Sequence, residues 1–273
     1  MSLVADLLPK LTRLSPQGRL ALLETLKANV ASHEPQRKLF TFYPDTGALR
    51  RELYPRHLAF YASGGYHEPM PPWCPDDCDG SPHRERLALC ANRVGKSMGM
   101  GGYETVVHLT GRYPPWWTGL RFERPIEAWA AGKSNETTRD IIQTEVLFGP
   151  TRWRGREKTV AGTGLIPAAD IGEITWKRGI PNFIDTVMVR HQSGGWSQLG
   201  LKSYEQKRGS FEGTAKDLIW ADEEPPLDIY TEMSIRLMTR KGHALLTFTP
   251  LEGMSEVVQA FLPGGRLPGE TEF

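Results

Sequence analysis

Three groups of residues in this chain have the types and spacing for phosphate chemistry. The first is the run Asn92-Arg93-Val94-Gly95-Lys96-Ser97. A loop of about five residues between a strand and a helix turns backbone N–H groups toward an anion. A Lys-Ser pair at the helix start then adds an ammonium and a hydroxyl. Residues 86–90 supply the apolar strand, 91–95 the loop, and the segment from Lys96 onward the helical pattern. The full pattern, G-x-x-x-x-G-K-[ST], lacks its first glycine, because Cys90 stands there. The second group is Asp222-Glu223-Glu224, directly after the apolar run 217–221. Carboxylates behind a buried strand are costly unless they have a task. Next to a phosphate loop, the first suits a divalent cation and the second suits an attacking water. The third group is Thr247-Phe248-Thr249-Pro250, closing the apolar run 244–249, with hydroxyls placed to sense a γ-phosphate.

A second Gly-Lys-Ser, Gly132 to Ser134, reads differently. The apolar run 126–131 passes straight into Gly132 and leaves no loop. Ending that strand early, at Pro125, would put proline into a central strand. Ser134 reads instead as the N-cap of the helix that follows.

The elements that must position these groups follow from the texture of the chain. Apolar runs at 86–90, 126–131, 186–191, 196–204, 217–221 and 244–249 alternate with helical or loop segments. That pattern predicts an α/β domain with a mainly parallel central sheet flanked by helices. Residues 188–203 are the exception, since a central Ser-Gly-Gly predicts a β-hairpin. Ahead of the domain, residues 1–34 predict a helical extension, with Ser15 as N-cap and Pro16 at the first helical position. Residues 31–47 read as a linker, and 48–65 as a second amphipathic segment ending at paired glycines. The expected organisation is extension and linker 1–50, domain 51–258 and tail 259–273.

Composition sets limits. The 273 residues are 39% hydrophobic and 24% charged, with net charge +1. That is a globular composition, neither for nor against a nucleic-acid partner. The sequence has no run of 18 apolar residues and no signal-peptide pattern, so we expect no membrane association and a cytoplasmic location. Three cysteines do not make a disulfide framework.

The ordered set 83–97, 108–117, 217–226 and 247–255 resembles the ATPase domain of the large terminase subunit of tailed bacteriophages. The likeness covers about residues 50–258. It implies a P-loop NTPase of the additional-strand, catalytic-glutamate type, using ATP and Mg²⁺. It further implies a homo-oligomeric ring, monomeric in isolation, that drives double-stranded DNA into a procapsid. The implied partners are the portal protein and the small terminase subunit, at a procapsid in the host cytoplasm. Carried over residue by residue, Lys96 would bind the β- and γ-phosphates, and Ser97 and Asp222 would hold Mg²⁺. Asn92, Arg93, Val94 and Gly95 would form the cradle, with Arg93 reaching the γ-phosphate. Glu223 would be the catalytic carboxylate and Thr249 the coupling residue. His57 stands nearest the position of the family's adenine-recognising glutamine. The family's arginine before the acidic pair is replaced by Glu212-Gly213 here, so Arg208 is the expected residue acting on a neighbouring subunit, with Arg139 and Arg178 as alternatives. No nuclease domain, and no nuclease activity, is expected within this chain.

Other residues invite two readings each. His67, Cys74, Cys78 and His83 have tolerable zinc-ligand spacing, yet a proline-rich surface loop accounts for them as well. Arg152, Arg154, Arg156 and Lys158 alternate, so on an extended loop they would face one side, as a DNA-tracking surface or simply in solvent. Trp116 and Trp117 suit base stacking or packing, and packing is the expectation. A two-lobed helicase and a non-hydrolysing capsid or portal adaptor are the competing functions. The chain is short for two lobes, and intact Lys96, Ser97, Asp222 and Glu223 speak against an adaptor.

Overall fold

The computed structural model describes residues 15–21, 24, 38–67, 79–251 and 253–262. Most of the predicted N-terminal extension and tail lies outside them, as do Cys74 and Cys78. Where the extension is described, Ser15 Oγ accepts from Gly18 N–H at 3.1 Å, as a cap does.

Seven strands form one sheet: β1 (Glu85–Leu89), β2 (Glu127–Gly132), β5 (Ile171–Trp176), β6 (Ile184–Arg190), β7 (Trp196–Ser203), β8 (Leu218–Asp222) and β9 (His243–Phe248). Their order is β1-β9-β8-β2-β7-β6-β5. The first five are parallel neighbours. The β6–β7 pair is antiparallel, as the Ser-Gly-Gly turn predicts, and β5 adds antiparallel to β6. Strand β9 therefore lies between β1 and β8, so the two strands carrying the loop and the acidic pair are not neighbours. The predicted strands agree with the observed ones to within about two residues at each end. Strand β5 escaped prediction because its burial is shallow along its whole length, which leaves no clear apolar alternation.

Strand β8 is buried on both faces, as a central parallel strand must be. Leu218 and Trp220 enter one apolar core, while Ile219 and Ala221 enter the other. The first core is closed by α1 (Lys38–Thr41), α2 (Pro55–Ala62) and α3 (Tyr103–Thr110), and by a wide π-helical segment, Thr138–Phe148, that continues α4 (Asn135–Thr137). The second is closed by α5 (Leu227–Met238) and α6 (Glu256–Phe261). Proline opens α2 at its first turn, so the helix is shorter than the amphipathic stretch 48–65.

A fully buried ion pair ties β1 to α3. Arg86 donates to Glu104 at 2.6 and 3.1 Å and to the Phe60 carbonyl at 2.6 Å. Burial pushes the Glu104 carboxyl up, but the Arg86 guanidinium and His108 together outweigh it and hold the group below its usual range. His108 adds a contact to Glu104 at 3.2 Å.

Beside this network His243 is buried, and its Nδ1 has no hydrogen-bond partner among the described residues. Desolvation first, and then the Arg86 charge, push its pKa down to about 3. The folded protein thus keeps His243 neutral where the unfolded chain, titrating near 6.5, takes up a proton. Stability must fall as pH drops below 6.5, by about 1.4 kcal/mol per pH unit for this one group. His243→Leu should remove that share of the slope in denaturant titrations between pH 6.5 and 5. An unchanged slope would show that His243 is not held neutral.

Candidate phosphate and metal site

The loop at 91–95 leaves the C-terminal end of β1 at the sheet's edge. Gly95 takes φ 84° and Arg93 takes φ 65°. Left-handed residues alternating with ordinary ones curl the backbone so that successive N–H groups line a concavity suited to anions. Gly95 is required there, because other residues rarely adopt that conformation. Cys90 does not have a positive φ, so a side chain costs nothing where the general pattern has its first glycine. Its thiol is pushed up by burial. The helix opens as a π-helical turn, Lys96–Gly102, with both Gly99 and Met100 N–H directed at the Gly95 carbonyl, at 2.6 and 3.4 Å. Lys96 Nζ lies 3.4 Å from Asn92 Oδ1.

The sheet brings the other two groups to the same place. Ser97 Oγ donates to Asp222 Oδ1 at 2.8 Å, and Thr247 Oγ1 donates to the same oxygen at 2.8 Å. Trp220 Nε1 donates to Thr247 Oγ1 at 2.8 Å, which directs that hydroxyl's own proton toward Asp222. The indole packs against the π-helical turn, and a Cβ on Gly101 would come within 2.0 Å of Trp220 Nε1. Thr249 Oγ1 lies 2.8 Å from the Cys90 carbonyl and 3.0 Å from Asn92 Oδ1, joining the end of β9 to the loop. Glu223 stands at φ 66°, a strained backbone for a non-glycine residue, at the strand end. Tyr204 Oη lies 3.1 and 2.9 Å from the carbonyls of Asp222 and Glu223. Burial raises the Asp222 pKa to about 6, despite the two hydroxyls and Lys96. A buried carboxylate beside a serine hydroxyl is a hard-oxygen donor set of the kind that suits Mg²⁺.

The family model described as terminase large subunit, T4likevirus-type, N-terminal, matches residues 87–267. The match starts within β1 and takes in the loop, the acidic pair and Thr249. The chain belongs to the terminase large subunit family. It is 37% identical over 202 residues to the terminase large subunit of Salmonella phage P22, covering 67% of this chain and 39% of that protein. The terminase chain therefore spans about two fifths of that relative's length. No solved structure matches it.

Around this site, several expected residues of the terminase chain lie elsewhere or do other work. His57 is buried beneath the loop, where its Nε2 donates to the Val94 carbonyl at 3.1 Å and its Nδ1 accepts from Tyr43 Oη at 2.7 Å. Burial lowers its pKa, and both nitrogens are engaged by the protein. Tyr61 Oη donates to the Gly99 carbonyl, so two side chains brace the loop from below. Arg208 is paired with Glu232 at 3.1 Å, a carboxylate it shares with Arg236 at 2.7 Å. Arg139 is paired with Asp140 at 2.7 Å, and Arg178 is exposed. Trp117 packs as expected, 4.8 Å from the Tyr61 ring, with Nε1 donating to the Leu120 carbonyl. Ser134 caps its helix, accepting from Thr137 N–H at 3.0 Å. The rings of His67 and His83 lie 5.5 Å apart.

One geometric expectation fails. Arg152, Arg154, Arg156 and Lys158 do not line one side of an extended loop. They form a tight hairpin, β3 (Thr151–Arg154) and β4 (Glu157–Val160), and the turn reverses the alternation so that Lys158 faces away from Arg152 and Arg154. Sequence reasoning also missed Trp220 and assigned Thr247 only a phosphate-sensing part. A buried tryptophan needs a partner for its N–H, and that requirement was the available signal.

Asp222 gives this site a measurable energetic signature. Its pKa is near 3.8 unfolded and about 6 folded, so the folded form binds the extra proton between those values. Stability is therefore lost as pH rises from about 4 to 6, by about 3 kcal/mol in all. In metal-free buffer at pH 8, Asp222→Asn should raise the melting temperature. Millimolar Mg²⁺ should raise that of the unsubstituted protein and leave that of the variant unmoved. A variant less stable than its parent in metal-free buffer would contradict this account.

Proposed function

We propose that this chain is the ATP-hydrolysing motor unit of a phage DNA-packaging machine. Family membership implies a role in packaging phage DNA. The observation that carries the finer reading is the 2.8 Å contact between Ser97 and Asp222, made beside Lys96 at the mouth of the loop. Strand β9 between β1 and β8 further supports an additional-strand P-loop NTPase.

In this reading the loop N–H groups of Asn92, Arg93, Val94 and Gly95 cradle the phosphates of ATP. Lys96 is the ammonium for the β- and γ-phosphates, and exposed Arg93 can reach the γ-phosphate. Ser97 and Asp222 would hold Mg²⁺, which neutralises charge on the phosphoryl oxygens. Glu223, partly exposed at the strand end, orients the attacking water and takes its proton. Thr249 links the loop to the end of β9, so a change at the γ-phosphate would be felt along that strand. His57 supports the loop rather than reading the base. Arg208 is the proposed contribution to a neighbour's site, and it must exchange Glu232 for that neighbour's phosphate. Assembly would be a ring on the portal protein, with the small terminase subunit and duplex DNA as partners, at the procapsid in the host cytoplasm.

Lys96→Ala should abolish ATP turnover while leaving the melting temperature within a few degrees of the parent. Glu223→Gln should still bind Mg-ATP and hydrolyse it about 10²–10⁴-fold more slowly. Steady-state hydrolysis with and without linear DNA decides among the functions. Stimulation by duplex supports the motor, stimulation by single strands a helicase, and no turnover an adaptor.

A further inference from the structure

The β3–β4 hairpin stands apart from the seven-stranded sheet. Its turn is Gly155-Arg156, with Gly155 at φ 64°. The pairs are Arg152 with Thr159, Trp153 with Lys158, and Arg154 with Glu157. Opposed residues share a face, so Arg152 and Arg154 lie on one face and Trp153 and Lys158 on the other. Arg152, Arg154 and Arg156 are all exposed, and Trp153 is 68% exposed. Among the described residues none of these three arginines joins an ion pair. In contrast, Arg51, Arg139, Arg208, Arg236 and Arg240 each hold a carboxylate. Only Glu157 offsets the charge of the hairpin's tip.

The hairpin has a defined place. Lys158 Nζ sits 4.1 Å from the centre of the Trp176 ring, at the last residue of β5. Two successive antiparallel pairings from β7 make β5 run the same way as β8. Trp176 and Asp222 therefore close their strands at the same end of the sheet, four strand spacings or ~19 Å apart.

We propose that this hairpin is a grip for duplex DNA, with Arg152, Arg154 and Arg156 on the phosphate backbone; it rests on the reading that the chain works on duplex DNA. Residues two apart on a strand face are separated by ~6.6 Å, close to two rises of ~3.4 Å along one DNA strand. A two-stranded ribbon also fits the major groove, ~12 Å wide. Guanidinium groups without a protein carboxylate are free to release counterions from phosphates. A single strand is the poorer fit, because it calls for a series of aromatic platforms and the hairpin offers only Trp153.

The test is a binding titration of the whole chain, without nucleotide, against a random duplex of about 30 base pairs at several salt concentrations. The combined Arg152→Ala, Arg154→Ala and Arg156→Ala variant should bind at least tenfold more weakly near 0.1 M salt. Its plot of log K against log salt should be shallower by roughly 2–3, at ~0.9 per lost phosphate contact. The corresponding lysine variant should keep the slope, and a melting temperature equal to the parent's shows that the fold is kept. Unchanged duplex affinity overturns the proposal. So does tighter binding of a single strand that Trp153→Ala abolishes, or a defect confined to self-association. Because no ATP is present, a parent protein that fails to hydrolyse ATP would sink the motor reading and leave this result standing.

Discussion

A buried carboxylate oxygen shared by two hydroxyls is the constraint on which the site depends. Asp222 Oδ1 accepts from Ser97 and Thr247, one from the helix behind the loop and one from β9. Both contacts require β9 to lie inside the sheet, next to β8, so that Thr247 and Asp222 meet in register. They require the π-helical turn to bring Ser97 back over the strand ends. They also require Trp220 to stand behind Thr247, and Gly101 to leave room for the indole. The desolvation that raises the Asp222 pKa is the unsatisfied part of this arrangement, and a bound divalent cation would satisfy it.

Rigidity around the loop has a different source. Tyr43, His57, Tyr61, Tyr103, Trp116 and Trp117 form an aromatic layer beneath it, with neighbouring rings at 4.8–6.5 Å. His57 and Tyr61 reach from that layer to two loop and turn carbonyls. A loop with two left-handed residues would collapse into a lower-energy shape without such support. Half of the layer, Tyr43, His57 and Tyr61, comes from residues before β1, so the segment 38–62 belongs energetically to the site even though the family match begins at residue 87.

The opposite edge of the sheet is built differently. The antiparallel strands β6 and β5 extend the parallel core laterally, and the arginine-rich hairpin is set beside the end of β5. A nucleotide at the parallel edge and a polyanion at the antiparallel edge would then be linked through one continuous hydrogen-bonded sheet. In the proposed function, that would be a short mechanical path from phosphate chemistry to a load.

Local chemistry was legible in contiguous residues: the strand–loop–helix around Gly95 to Ser97, the acidic pair closing a buried strand, the hairpin at Ser-Gly-Gly, and the cap at Ser134. Each depends on contiguous residues, and apolar runs with glycine, proline and hydroxyl punctuation encode such features directly. Tertiary structure alone decided which strands became neighbours, and so that Thr247 would bind Asp222 while Thr249 binds the loop. It decided that His57 would brace the loop, that Arg208 would be held by Glu232, and that a two-residue turn would send Lys158 away from Arg152 and Arg154. These are contacts between residues up to 159 positions apart, or between strands whose register one turn fixes, and no local pattern records such pairings.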